Sequence, residues 1–458
     1  MLVYQGVYFF QVITIKKLAF ITECYNINMF FKGIVMAGYV AGIDFGTSNS
    51  SAAITDGDAP KLVDVESGHN TIPTALYFPD KSSEVFYGRT AQRKYIESET
   101  VGRFMRSMKR ILGTPLMESG TQINGRTVKF DDIIGYFISY IKQRIDVSAG
   151  ENVESIVMGR PVHFRDNDPV ADDKAQQELE RIAKKAGFKN IRFQYEPIAA
   201  AFAHEQKINS EKLACVIDIG GGTSDFTIIR LSPENRNEAD RTKDVLANTG
   251  VRIGGNDFDK NLSLKEFMPM FGMGTDYKVY DKILSIPNSI YINLSTWNQV
   301  NEVYNYKTLN LVKGYQTWAL QPEKLARLYE VIQNRLGHIN LDYVEKTKIA
   351  LSKDLCVESI LDFLSDKPSV QITRKDFNNA ISNDVEKIES FLSECLLQAG
   401  VKKEDIDLVI LTGGSTEVPR VSDIVIKFFP NAEISASDKL SSVGLGLAYE
   451  ARRVFLWL

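Results

Sequence analysis

Two short segments of this chain are near copies of each other. One reads Gly42-Ile43-Asp44-Phe45-Gly46-Thr47-Ser48-Asn49-Ser50, the other Val216-Ile217-Asp218-Ile219-Gly220-Gly221-Gly222-Thr223-Ser224-Asp225. In each, an apolar run ends in Asp and gives way to glycine and hydroxyl residues. A second apolar run follows, Ala52-Ala53-Ile54 in one case and Phe226-Thr227-Ile228-Ile229 in the other. The pattern predicts strand, tight glycine turn, strand, twice over. Glycine lets a backbone approach a phosphate closely and direct N–H groups at it. The hydroxyls add donors, and an Asp at the strand end suits a hydrated Mg²⁺, which prefers a few carboxylates and waters to a full protein cage. Two such turns facing each other would clamp a nucleotide's phosphates from both sides. The plainer alternative is a pair of structural hairpins.

At 458 residues the chain is long enough for two lobes with sizeable cores. Lysine and arginine number 54 against 58 acidic residues, a net charge of −4. Without a basic excess, nonspecific nucleic-acid binding is not expected. Cys24, Cys215, Cys356 and Cys395 are scattered and form no CxxC, so neither a zinc site nor a disulfide framework is indicated. A reducing, cytoplasmic setting is the matching expectation. His69, His163, His204 and His338 have no metal-site or triad spacing and read as structural or surface residues. Residues 1–35 are aromatic and β-branched, but Lys16-Lys17 follows the apolar run where a signal peptide would place charge before it. The same lysines interrupt any 20-residue membrane span. The expected fold therefore begins at Met36, with 1–35 an over-extended start or accessory tail. A membrane-associating tail is the alternative, and no membrane partner is expected.

Along the chain, 36–78 reads as strands and a turn, and 90–112 as a basic amphipathic helical stretch. Residues 131–147 form a helix with Ile133, Ile134, Phe137, Ile138 and Ile141 on one face. A strand at 155–159, a helix at 172–186 stopped by Gly187, and a helix opened by Glu196-Pro197 follow. A second lobe starts near 213. Residues 275–320 are polar, aromatic and poorly periodic, which suggests an insertion or loop-rich subdomain. Residues 323–353 and 384–399 return to helix, and Asp407–Leu411 is a buried strand running into Thr412-Gly413-Gly414-Ser415. The alternation of strands and helices implies a mixed α/β architecture.

Taken in order, GIDFGTSNS, MKRILG, GRPVHF, YEPIAAAFA, VIDIGGGTSDF, RIGGNDFD, VEKTKIALS and LTGGSTEVPR resemble the nucleotide-binding domain of the heat shock protein 70 family, the DnaK-type chaperones. The resemblance runs from about Met36 to Leu458 and is weak over 256–340. It implies an actin-like ATPase fold, with two lobes, each built on a ribonuclease-H-like core, and ATP between them. Lobe I would span 36–212 and lobe II 213–433, with a divergent insertion at about 256–340 and a segment 434–458 returning to lobe I. Phosphate-binding turns would fall on Gly46-Thr47-Ser48 and Gly220-Gly221-Gly222-Thr223, and Mg²⁺-associated carboxylates on Asp44 and Asp218. The resemblance makes Lys109 the catalytic lysine, neutralising the transferred phosphoryl group or positioning water. Glu196 becomes the water-positioning carboxylate and interlobe relay, and Asp225 a further acid of the second turn. Phosphoryl transfer needs neutralised charge, a metal and a held water more than a covalent nucleophile, so these roles are chemically coherent.

The nucleoside side departs from the family. Glu345, Lys348, Ile349 and Ser352 are spaced to share one helix face. By resemblance Glu345 and Lys348 would meet the ribose and Ser352 the base edge, beside Gly413, Gly414 and Ser415. The family's two adenine-stacking arginines are replaced by Ile349 and Glu417. Each missing guanidinium plane is worth on the order of 1 kcal/mol, so weaker nucleotide affinity is expected. These features resemble the short, divergent YegD-type members. With the sequence stopping at Leu458, the family's peptide-binding β-sandwich and lid are not expected. The leading expectation is a divergent ATP- and Mg²⁺-binding ATPase that works with separate protein partners or co-chaperones. A nucleotide-sensing module with little hydrolysis, an actin-like filament protein and a small-molecule kinase are the competing readings. No acceptor-site motif supports the kinase.

Overall fold

Two five-strand pathways with the same order and the same strand senses organise the chain. In the computed structural model, which describes residues 38–98, 100–238, 240–280, 282–435 and 441–456, the first runs across one sheet. Its order is Asn190–Tyr195, Ser155–Arg160, Val40–Asp44, Asn49–Thr55, Lys61–Leu62, and Thr71–Pro73 also pairs with Asn49–Thr55. The second runs Glu433–Ser435, Leu408–Thr412, Lys212–Ile219, Ser224–Leu231, Val245–Val251. In both, the opening hairpin is antiparallel, the third strand joins it antiparallel, and the two later strands lie parallel on the other side. The register is shared as well. Asp44 lies opposite Ser51 and Asp218 opposite Asp225, so both glycine turns close over loops of equal length. The expected extension 1–35, Met36, and part of the expected segment 434–458 lie outside the described residues.

The strands are read as buried because they are apolar on both faces. Val216, Ile217, Ile219 and Val409, Ile410, Leu411 are buried in succession, as suits strands covered by helices on either side. The helix Phe130–Ala149 covers the first sheet through Ile133, Ile134, Phe137, Ile138, Ile141 and Ile145, and ends at Gly150 in the left-handed conformation. The Phe137 ring sits 5.9 Å from that of Phe45, directly after the first Asp. Truncating Phe137 to alanine would cost about 3–5 kcal/mol and loosen the floor of that turn.

Two helices lie between the sheets, Glu196–Glu205 and Ser442–Phe455. They share one core cluster with Val40 and Val157 of the first sheet and Val216 and Ile410 of the second. Small residues let them cross backbone to backbone. A Cβ on Gly446 would stand 1.7 Å from the Ala199 carbonyl oxygen, and Gly42 of the strand Val40–Asp44 packs as closely on the second helix, where its Cβ would stand 2.3 Å from the Ala448 nitrogen.

Three expected elements differ. The stretch 90–112 is not one helix: it comprises the helix Gly88–Glu97, the strand Arg103–Arg106 and a 3₁₀ turn Met108–Ile111. Thr100, Gly102 and Ser107 all have positive φ, which an α-helix cannot contain. A side chain on Gly102 would also meet the Phe78 carbonyl oxygen at 2.5 Å. Residues 275–320 are more ordered than their composition suggests. Asp276–Val279 pairs with Lys282–Ser285, and helices occupy Ser289–Leu294 and Tyr306–Trp318. The periodicity is faint because Tyr306–Trp318 buries only Val312. The stretch 323–353 is two helices, Pro322–Gln333 and Gly337–Leu351, broken near Arg335 at φ 55°. None of the described helices is long and apolar enough to cross a membrane.

Candidate functional site

The equal registers of the two hairpins bring their turns face to face. Gly46, Thr47 and Ser48 line one cleft with Gly220, Gly221, Gly222 and Thr223, and Asp44, Lys109, Glu196, Asp218, Gly413 and Gly414 complete its wall. The glycines of the second turn are demanded by the approach of the first. A Cβ on Gly221 would lie 1.9 Å from Ser48 Oγ, and one on Gly222 would lie 2.6 Å from Thr47 Oγ1. Anchors hold each turn from behind. Thr74 Oγ1 donates to the Gly46 carbonyl at 2.8 Å. The Gly220 carbonyl accepts from the Gly255 N–H at 2.9 Å and from Ser415 Oγ at 2.8 Å. The Asn256 N–H donates to Gly221 O at 2.9 Å, and Ser48 Oγ donates to Asn256 Oδ1 at 3.2 Å across the cleft.

Beneath the turns lies an excess of buried negative charge. Lys109, at the 3₁₀ turn, donates to Glu196 Oε1 at 2.5 Å, and both side chains are buried. Burial opposes the charge on Lys109, but Glu196 and Asp44 outweigh it and hold the ammonium above its ordinary range. Burial, then the Glu196 charge, push Asp44 up to about 7. The same two causes raise Asp225 to about 7, although it accepts the Val162 N–H at 2.7 Å. Asp218 is driven well above the usual carboxylate range by burial and by Glu196, Asp225 and Asp44. One lysine thus faces four carboxyls, and like charges so placed resist joint ionisation. A bound cation would relieve this. Among the described residues no three His, Cys, Asp or Glu side chains form a ready ligand group. Mg²⁺ fits this donor set, because it takes one or two carboxylates and keeps its waters or accepts phosphate oxygens.

The residues expected to face a nucleoside are placed differently. Glu345 accepts a two-pronged ion pair from Arg106, at 2.5 and 2.7 Å. Burial would raise the Glu345 carboxyl, but Arg106 holds it down at about 2. Lys348 pairs with the buried Asp259 at 2.8 Å and also reaches the Gly255 carbonyl at 3.3 Å. Ser352 Oγ donates to the Lys348 carbonyl of its own helix. None of these three lines the cleft formed by the turns. Ile349 is 53% exposed and Glu417 is exposed. Ser415 stands behind the Gly220 turn.

Sequence reasoning missed several residues of this region. Arg106 is buried, lies 4.6 Å over the Trp297 ring and ties the two halves together through Glu345. No local pattern marks it. Asn256 bridges Ser48 and Ser107 Oγ, the latter at 2.9 Å, and its place directly after Gly254-Gly255 was the available signal.

A family model described as Hsp70 protein matches residues 40–340 and 333–452. The chaperone protein DnaK of Mycoplasmopsis agalactiae is 28% identical over 397 residues, covering 84% of this chain and 54% of that protein. The mitochondrial heat shock 70 kDa protein of Pisum sativum is 26% identical over 439 residues, 90% of this chain and 55% of its own length. The DnaK of Mycoplasma mobile is 26% identical over 421 residues, 89% and 57% respectively. The chain thus spans little more than half the length of the relatives it matches. With the repeated five-strand pathway and the facing glycine turns, the matches lead to one conclusion: the chain belongs to the Hsp70 family and has its two-lobed, actin-like ATPase fold.

Proposed function

We propose that this protein binds ATP or ADP with Mg²⁺ between its two glycine turns and hydrolyses ATP slowly, in a chaperone-related or regulatory role. The observation that supports this reading best is the buried cluster of Asp44, Glu196, Asp218 and Asp225 around the single Lys109, at the point where the turns meet. Gly46, Thr47, Ser48 and Gly220 to Thr223 hold the phosphates. Asp44 and Asp218 hold a hydrated Mg²⁺, which when bound supplies charge neutralisation at the phosphate oxygens. Lys109, fixed by Glu196, neutralises charge that develops on the transferred phosphoryl group. Glu196 orients the attacking water, with the Thr223 hydroxyl nearby. Gly413, Gly414 and Ser415, with Glu345, Lys348 and Ser352, form the nucleoside side. The lobes divide at about 212, and the segment from 434 returns to lobe I. Protein partners of the co-chaperone kind and a cytoplasmic setting belong to the same proposal.

A second reading, a nucleotide sensor with little hydrolysis, is favoured by one observation: Glu345 and Lys348 are engaged with Arg106 and Asp259, so a nucleoside must compete for them. Single-turnover hydrolysis of ATP with Mg²⁺ tests both. Loss of turnover in Lys109→Ala and in Asp218→Asn, with binding retained in the parent, supports the ATPase. Binding without turnover in the parent supports the sensor. No binding by calorimetry at millimolar ATP refutes both.

A further inference from the structure

A second cavity, of about 310 Å³, is lined in part by Ser107 and Asn256, and Asn256 links it to the cleft by accepting from Ser48 Oγ at 3.2 Å. Lys109 faces the cleft and the next residue, Arg110, lines this chamber. Four cationic side chains line it: Arg110 and Arg165 from the first half of the chain, Arg252 and Lys260 from the second. Only one lining residue is acidic, Asp257, and Arg110 already holds both of its carboxylate oxygens, at 3.1 and 3.2 Å. Neither Arg165 nor Arg252 has an ion pair with a described residue. The Arg252 guanidinium donates to the Arg110 carbonyl at 3.1 Å, which draws the two arginines together without neutralising either. Burial, followed by repulsion from Arg165 and Arg110, pulls Arg252 down to about 10. Trp297 also lines the chamber, and its indole N–H is buried with no hydrogen-bond partner among the described residues.

A surface cluster of arginines normally spreads into solvent. Here three line one half-open cavity from both halves of the molecule, where Asp257 is the one carboxylate in the lining and Asp166 stands behind the Arg252 backbone, its carboxylate accepting the Arg252 N–H at 3.1 Å. Planar guanidinium forks match tetrahedral oxyanions, and a doubly charged anion offsets more than one fork at once. We propose that this chamber is a phosphate-binding site distinct from the nucleotide cleft, with Arg110, Arg165 and Arg252 as its charged contacts. Phosphate from solution and phosphate freed in the neighbouring cleft share this chemistry.

Calorimetric titration of the full chain with inorganic phosphate, at constant ionic strength in chloride, tests the proposal. Saturable binding is expected, weakened about tenfold or more in Arg165→Ala and in Arg252→Ala, and less in Arg165→Lys, which keeps the charge and loses the fork. Circular dichroism establishes that each variant is folded. Thr223→Val, altered in the cleft, is the counterpart: it removes only phosphate held by that turn and should keep the binding that the arginine variants lose. Absence of saturable binding in the parent overturns the proposal. So does binding lost in Thr223→Val but kept in both arginine variants, which would assign the phosphate to the cleft. A phosphate-release assay after ATP addition separates the sources and rests on the hydrolysis proposed above. Altered release in the arginine variants identifies product phosphate as the occupant. Unchanged release, with binding of added phosphate lost, identifies phosphate from solution.

Discussion

Glu345→Gln is the sharpest test of how the two halves are held together. Arg106 comes from the strand Arg103–Arg106 and Glu345 from the helix Gly337–Leu351, so their ion pair crosses between the halves of the chain. The side chain of Arg106 is 4% exposed and that of Glu345 20%. Removing one member of a buried pair leaves the other charge uncompensated, at a typical cost of 3–5 kcal/mol. The carboxyl gives an independent figure. Moving it from 4.5 to about 2 corresponds to about 3 kcal/mol in favour of the charged form. We therefore expect Glu345→Gln to destabilise the protein by about 3 kcal/mol near neutral pH. The lowered folded-state value fixes the sign of the pH dependence. This stabilisation is present above about pH 4.5 and is lost as pH falls toward 2. Urea unfolding at pH 7 of the parent, Glu345→Gln, Arg106→Met and the double variant closes a double-mutant cycle. A coupling energy below about 0.5 kcal/mol would refute the argument. So would equal effects of Glu345→Gln at pH 7 and at pH 3.

Other outcomes follow from the same geometry. Gly221→Ala puts a methyl group 1.9 Å from Ser48 Oγ, so the turns must separate; we expect a loss of about 1–3 kcal/mol in denaturant unfolding, and an unchanged midpoint would contradict the close approach. Asp44 and Asp225, raised to about 7 in the folded protein, keep protons that the unfolded chain releases near 3.8. Without divalent cations, stability should therefore fall between about pH 4 and 7, and Mg²⁺ should raise the melting temperature at pH 8 more than at pH 5. A melting temperature independent of Mg²⁺ at pH 8 would count against the cation site. Ile349→Arg should tighten ATP binding by on the order of 1 kcal/mol; unchanged affinity by calorimetry would show that this exposed position does not face the base.

The two facing glycine turns were legible because their information is local. An Asp, a run of glycines and a hydroxyl within a few residues specify both the turn and its donors, and the facing arrangement follows from repeating the unit. The helix Phe130–Ala149 was equally legible from its single apolar face. The break in 90–112 was not, since Thr100 and Ser107 take left-handed conformations that their residue types do not announce. Nor were the commitments of Glu345 and Lys348. Helical spacing places both on one face, but their partners Arg106 and Asp259 come from distant parts of the chain. Long-range charge pairing leaves no periodic trace in sequence.

The close crossing of the helices Glu196–Glu205 and Ser442–Phe455 has a mechanical consequence. With Gly446 against the Ala199 carbonyl and Gly42 against the Ala448 nitrogen, there is no slack for sliding, so the two sheets can move relative to one another chiefly by pivoting at that point. Displacement in a pivot grows with distance from the axle. Glu196 opens the helix that forms half of the axle, so the carboxyl cluster near it would keep its spacing through a swing. Contacts set farther out along the lever arms would part first.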